Sequence, residues 1–298
     1  MSEATLSQSD PVWRKIIIPR RGLFSIPWGE LWAYRDLIWL LGLRDVSATY
    51  KQTVLGPFWF ILQPLLTTVA FSFLFGRMAG FGSTDHTPHF VFYMSGLVIW
   101  NFFSDCINKI SLTFTRNAQL FGKVYFPRMV APLANVLSCL VPFFVQFAIL
   151  TIAIVYYVYG DLHLPAGAAP SHVEPNWRIF LLPFLLGQTA LLALGAGFIV
   201  SALTTRYKDL SMGIGFGIQL LMYGSSIILP MSRFSPSQRW IFYFNPMVSI
   251  VEGFRFALLG HGLVEKWQLF MSFGFCLATF LFGVVVFNRV EQTVMDTV

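Results

Sequence analysis

Six stretches of this chain, 54–76, 90–104, 129–160, 179–205, 210–232 and 268–288, hold no charged side chain and no histidine. They run to 23, 15, 32, 27, 23 and 21 residues, nearly half of the 298. A helix needs about 20 apolar residues to cross a hydrocarbon core of roughly 30 Å. Five stretches are long enough, and the second becomes so if its helix continues past Asp105 toward Ile110. Backbone polar groups in a bilayer must be satisfied inside helices or a closed barrel. These stretches are too long for barrel strands and do not alternate apolar with polar residues. The sequence therefore predicts an all-α polytopic membrane protein. Its six transmembrane helices are expected at about 54–76, 90–110, 130–160, 179–205, 210–232 and 268–288.

Only 11% of the residues are charged and 56% are hydrophobic. An average soluble domain has roughly 25% charged residues, so too little polar surface remains here to cover a large soluble core. The net charge of +6 resembles a nucleic-acid signal until its placement is considered. With the N-terminus inside, 14 of the 20 basic residues fall in cytoplasmic segments, the bias that orients membrane proteins. Both termini are thus expected in the cytoplasm, with the lipid bilayer as partner and no nucleic acid. Cys106, Cys139 and Cys276 are odd in number and unpaired in spacing, and read as small apolar packing residues. No cleavable signal peptide is expected, because the first spanning run starts only at Val54.

The expected organisation is an N-terminal cytoplasmic arm over 1–26, an amphipathic interface helix over 27–50, a six-helix transmembrane domain over 51–290 and a cytoplasmic tail over 291–298. In the interface helix Leu31, Tyr34, Leu37, Ile38 and Leu41 recur at helical spacing, with Trp28, Trp32 and Trp39 suited to the membrane–water boundary. Pro57 is placed to open span 1. Asp105 and Lys109, four apart at the end of span 2, are expected to pair. Between spans 2 and 3, residues 112–128 mix basic and aromatic side chains and predict a short amphipathic helix lying flat under the membrane. A kink is expected at Pro142. Gly187, Gly195 and Gly197 of span 4, and Gly213, Gly215 and Gly217 of span 5, read as close-packing sites.

The segment between spans 5 and 6 is unusual. Residues 240–251 and 256–264 are apolar pieces too short to span, broken by Asn245-Pro246. Glu252 and Arg255 stand between them, three apart and able to pair. A re-entrant hairpin on the outer side is expected.

Catalytic constellations, metal-ligand spacings and nucleotide-binding loops are missing from the sequence, and unpaired ionisable groups at membrane depth are scarce. What remains are weakly polar and aromatic stripes. On span 5, Met212, Phe216, Gln219, Tyr223 and Ser226 share one helical face. On span 1, Phe60, Gln63, Thr67 and Phe71 do the same above Trp59. Such faces suit sugars, through aromatic contact with C–H patches and amide hydrogen bonds. They equally suit helix packing.

Three sets of residues resemble a known family. These are Tyr50-Lys51-Gln52-Thr53-Val54-Leu55-Gly56 before Trp59, the Asn117 to Pro127 loop with Phe121, Lys123, Phe126 and Pro127, and Asn245-Pro246 followed by Glu252 and Arg255. Their order around six spans is similar to that in permease subunits of ABC-2 polysaccharide exporters, which export O-antigen, capsule and teichoic acid chains. The resemblance covers roughly residues 30–290. It implies a non-enzymatic permease of the bacterial cytoplasmic membrane that acts with a second copy of itself and two cytosolic ABC ATPase subunits. ATP and magnesium would be bound by that partner, with no cofactor in this chain, and the substrate would be a lipid-linked polysaccharide. A coupling helix with Arg116, Asn117, Leu120, Phe121, Lys123, Tyr125, Phe126 and Pro127 would dock on the ATPase. Trp59, Phe60, Gln63, Thr67, Phe71, Phe216, Gln219, Tyr223 and Ser226 would line a channel. Asn245, Pro246, Glu252 and Arg255 would belong to the outer gate. Two alternatives stand beside this: an ABC-2 exporter of a small lipid or drug, and a membrane-embedded enzyme acting on a polyprenyl-linked sugar.

Overall fold

The computed structural model describes residues 28–51, 53–81, 87–121, 123–163, 173, 177–207, 209–260 and 262–295. The N-terminal arm, Gln52, Gly122, Lys208, His261, residues 82–86 and most of 164–176 lie outside the described residues. The described chain is helical and contains no strand. Helix α1 (Trp28–Ala33) leads into α2 (Arg35–Tyr50), and α3 (Trp59–Phe71) follows a 3-10 turn over Gly56–Phe58. Then come α4 (His89–Ser111), α5 (Thr113–Phe121), α6 (Val130–Leu162), α7 (Leu182–Arg206), α8 (Leu210–Tyr223), α9 (Pro236–Tyr243), α10 (Pro246–Leu259) and α11 (Lys266–Met295). The last helix runs past residue 290 into the expected tail.

Five helical stretches are long and apolar enough to cross a membrane: Gly56–Met78, His89–Ser111, Val130–Asp161, Trp177–Arg206 and Lys266–Val290. The fifth expected span differs. In place of one helix over 210–232, α8 has 14 residues and stops at Tyr223, followed by turns and bends. Span 1 also departs from a plain α-helix, because Ser72–Met78 winds as a π-helix. A Cβ on Gly76 there would come within 2.8 Å of the His89 ring, so the glycine lets α3 and the start of α4 touch.

α4 sits at the centre, packed against α3, α6, α7 and α10. Val91, Tyr93, Met94, Ile99 and Ile110 along it are fully buried. α7 and α11 form the tightest pair. A Cβ on Gly195 would fall 2.6 Å from the Phe280 backbone, and one on Gly197 would fall 2.6 Å from Ile110. The backbones approach because those side chains are missing. The other expected packing glycines behave differently: Gly187, Gly213, Gly215 and Gly217 face open space within the chain. Pro142 sits inside the continuous helix α6.

The N-terminal helix breaks at Tyr34 into α1 and α2. Its predicted stripe faces the protein. Leu31 and Leu41 are buried, Tyr34, Leu37 and Ile38 pack on the core, and Gly42 lies against Ala134 and Leu137 of α6. Trp28, Trp32 and Trp39 point away, 68%, 72% and 57% exposed.

Gly195→Ala should destabilise the fold by roughly 1–3 kcal/mol through overpacking, whereas Gly187→Ala should be neutral or slightly stabilising. Thermal denaturation of the detergent-solubilised protein measures both. Equal melting temperatures for the two variants would refute the α7–α11 contact.

Candidate functional site

The α4–α6 connection is fastened to the body through backbone groups that helix ends leave open. Asn135 of α6 donates to the carbonyl of Lys109 at 3.2 Å and to Thr113 Oγ1 at 3.1 Å. Thr204 of α7 donates to the carbonyl of Ser111 at 2.8 Å. These bonds end α4 and start α5. Asp105 and Lys109 make no contact ion pair: Lys109 donates instead to Ser138 Oγ at 2.8 Å, because α6 lies within reach of its ammonium.

Aromatic rings then hold α5 down. Phe114 stacks on Phe287 of α11 with centroids 4.8 Å apart, Phe121 lies 5.5 Å from Phe126, and the Arg128 guanidinium covers Phe121 at 5.6 Å. Phe126 and Pro127 are buried, and Leu120 and Phe121 are half-buried against the core. Their side chains pack against the body of the chain. Asn117 is half-buried and donates to the Thr113 carbonyl one turn back along α5 at 3.1 Å. Arg116, Lys123, Val124 and Tyr125 are exposed, so the surface offered at this end is basic with an aromatic at its edge.

The two stripes separate in the same way. On α3, Trp59 and Gln63 are exposed and Thr67 is half-buried. Phe60 is buried, and Phe71 sits edge-on to Tyr93 of α4 at 6.3 Å. Phe60 and Phe71 therefore face the protein, so the one broad face read from spacing is divided between packed and exposed side chains. On α8, Phe216, Gln219 and Tyr223 are exposed on one side. Ser226 leaves that stripe, because the helix has already ended and Ser226 adopts φ 58° in a turn.

What stops α8 is a buried polar clasp. Arg255 of α10 donates to the carbonyls of Ser226 at 2.6 Å and Ile227 at 2.9 Å, and lies 3.3 Å from Glu252 Oε1. Glu252 accepts from Ser226 Oγ at 2.5 Å and from the Met231 N–H at 3.3 Å. Asn245 caps α10 by accepting from the Met247 N–H at 3.0 Å, with Pro246 in the first turn. Its amide donates to the Gly224 carbonyl at 3.0 Å and to Ser225 Oγ at 3.1 Å. The Arg255 guanidinium lies 3.8 Å from the Phe92 ring centroid, a cation–π contact in a buried site. Its Nη2 fills the room left by Gly96, where a Cβ would come within 2.8 Å. Gly260, at φ 79°, ends α10.

Asn245, Pro246, Glu252 and Arg255 are thus brought together with Ser226. Phe92 and Gly96 of α4 were missed by sequence reasoning. The signal for them was only indirect: a charged pair in an apolar segment requires a lined socket, but spacing does not say which helix supplies it. Among the described residues no group of three or more His, Cys, Asp or Glu side chains is placed to hold a metal ion.

Removing one partner of the clasp, by Glu252→Leu or Arg255→Met, should cost about 3–5 kcal/mol, because the other charge is left buried. The double replacement should cost clearly less than the sum. Thermal stability of the four proteins in one detergent measures this, and strict additivity would refute the coupling.

A profile of the ABC-2 type transporter family matches residues 36–259. The chain is 27% identical over 262 residues to the "O-antigen export system permease protein RfbA" of Klebsiella pneumoniae, covering 86% of this chain and 92% of that protein. It is 24% identical over 239 residues to the protein of the same name in Myxococcus xanthus, covering 79% and 85%. It is also 24% identical over 259 residues to the "Polysialic acid transport protein KpsM" of Escherichia coli, covering 86% and 94%. The α8 turn, the α10 clasp and the short α5 helix all fall within the matched region, and the chain belongs to the ABC-2 type transporter family.

Proposed function

We propose that this chain is the membrane-spanning permease of an ATP-driven exporter that moves a lipid-linked polysaccharide across the bacterial cytoplasmic membrane. O-antigen is the first choice of cargo, with capsule or teichoic acid next. The observation that carries the reading is the near full-length similarity to permeases named for O-antigen export and polysialic acid transport. The exposed aromatic and amide side chains of α8 support it. Phe216, Gln219 and Tyr223 offer flat apolar surface and hydrogen bonds without a fixed charge, so successive sugar units bind weakly and slide.

In this reading two copies act with two cytosolic ATPase subunits, which bind ATP and magnesium, and both termini lie in the cytoplasm. The basic surface of Arg116, Lys123, Val124 and Tyr125 receives the ATPase. Motion imposed there passes into α4, α6 and α7, because Asn135 and Thr204 tie α5's root to those helices.

Deletion of the gene should abolish the surface polysaccharide and leave drug tolerance unchanged, read by glycan immunoblot and growth inhibition. The reverse pattern would favour a small lipid or drug as cargo. Lys123→Glu combined with Tyr125→Ala should lower surface glycan at least about tenfold, the size of a lost charge-assisted interface contact, with the permease still in the membrane. Phe121→Ala is a poorer probe, since it also removes packing. Normal glycan display in the Lys123/Tyr125 variant would remove the docking assignment.

A further inference from the structure

The body of α8 and its outer end are held very differently. Between Leu210 and Tyr223 only Ile218 and Met222 are buried. Met212 and Phe216 are 88% and 67% exposed, and Gly213, Gly215 and Gly217 face open space within the chain. Past Tyr223, residues 225–228 are all buried. There α10 and its cap seize the backbone at Gly224, Ser226, Ile227 and Met231. Arg255 is in turn wedged against Phe92 and Gly96 of the central helix α4. Pulling this segment away would strand a buried guanidinium, a buried carboxylate and several carbonyls together. Bending an apolar helix that carries three glycines asks far less.

We propose that segment 224–231 and α10 form one rigid outer block seated on α4 through Arg255, and that α8 moves during transport by flexing between Leu210 and Tyr223. Phe92 and Gly96 are then positioning residues: they fix the guanidinium that fixes the end of α8. The block does not open by separating α8's end from α10. This inference rests on the exporter reading above.

The test uses the complete exporter with Ser225→Cys and Asn245→Cys introduced together and bridged by a short bis-methanethiosulfonate reagent that dithiothreitol releases. Export into vesicles is measured before bridging, after it, and after reduction. The bridged exporter should keep more than about half of its unbridged rate, because the joined parts already move as one body. Export that stops on bridging and returns on reduction overturns the proposal. Hydrogen exchange on the wild-type assembly decides it independently, whether or not the cysteine pair folds. Amide protection in 224–231 and 246–259 should change together, and by less than about twofold, when nucleotide is added; roughly tenfold faster exchange in 224–231 alone overturns the rigid block. A wild-type assembly that moves no polysaccharide defeats the exporter reading, and the exchange experiment still settles the block.

Discussion

A buried backbone that leaves the helical path must find hydrogen-bond partners within the protein, since no solvent reaches it. Much of this structure follows from meeting that demand at one place, just after Tyr223. The chain turns there through Gly224, Ser225 and Ser226, and the freed carbonyls are taken by Asn245 and Arg255. Arginine suits the task because its planar fork reaches two carbonyls at once. Its charge then requires Glu252, an aromatic face and a gap in the neighbouring helix. Helix α10 is buried because it must deliver these groups to the turn.

Elsewhere the helices meet by close approach rather than by polar bonds alone. Gly195 and Gly197 let α7 lie against α11 and α4. Lipid tails are as apolar as leucine side chains, so contact area and fit decide helix association. Buried amides add direction: Asn101 of α4 bonds to Gln146 of α6 at 3.0 Å, and Gln188 of α7 bonds to Ser272 of α11 at 2.6 Å. The result is a tightly packed set of α4, α6, α7 and α11. Against it α8 and much of α3 present wide apolar faces to whatever surrounds the chain.

This contrast gives the family's task a physical shape. In the exporter reading proposed above, the part that transmits motion is fastened by several buried bonds, at the root of α5. The part proposed to flex is lightly packed, along α8. The exposed side of α8 carries aromatic rings and an amide without acids or bases, so in the exporter reading proposed above a passing sugar is held only weakly.

Apolar run lengths already declared a helical membrane protein, because bilayer thickness and backbone satisfaction leave no other fold for such stretches. The short helix near 112–128, the two short helices broken at Asn245-Pro246 and the Glu252–Arg255 pair were legible for the same reason: each is a local pattern of charge and apolar spacing. Four things were not. α8 stops at Tyr223 although its sequence stays apolar to Ser232, since the partners that end it lie on α10 and α4. Lys109 chose Ser138 over Asp105 because α6 passes beside it. Phe121 and Phe126 turned inward, and the glycines of α8 found no neighbour within the chain. Periodicity reports which residues share a face, but which neighbour meets that face depends on how distant helices cross, and only the tertiary structure decides that.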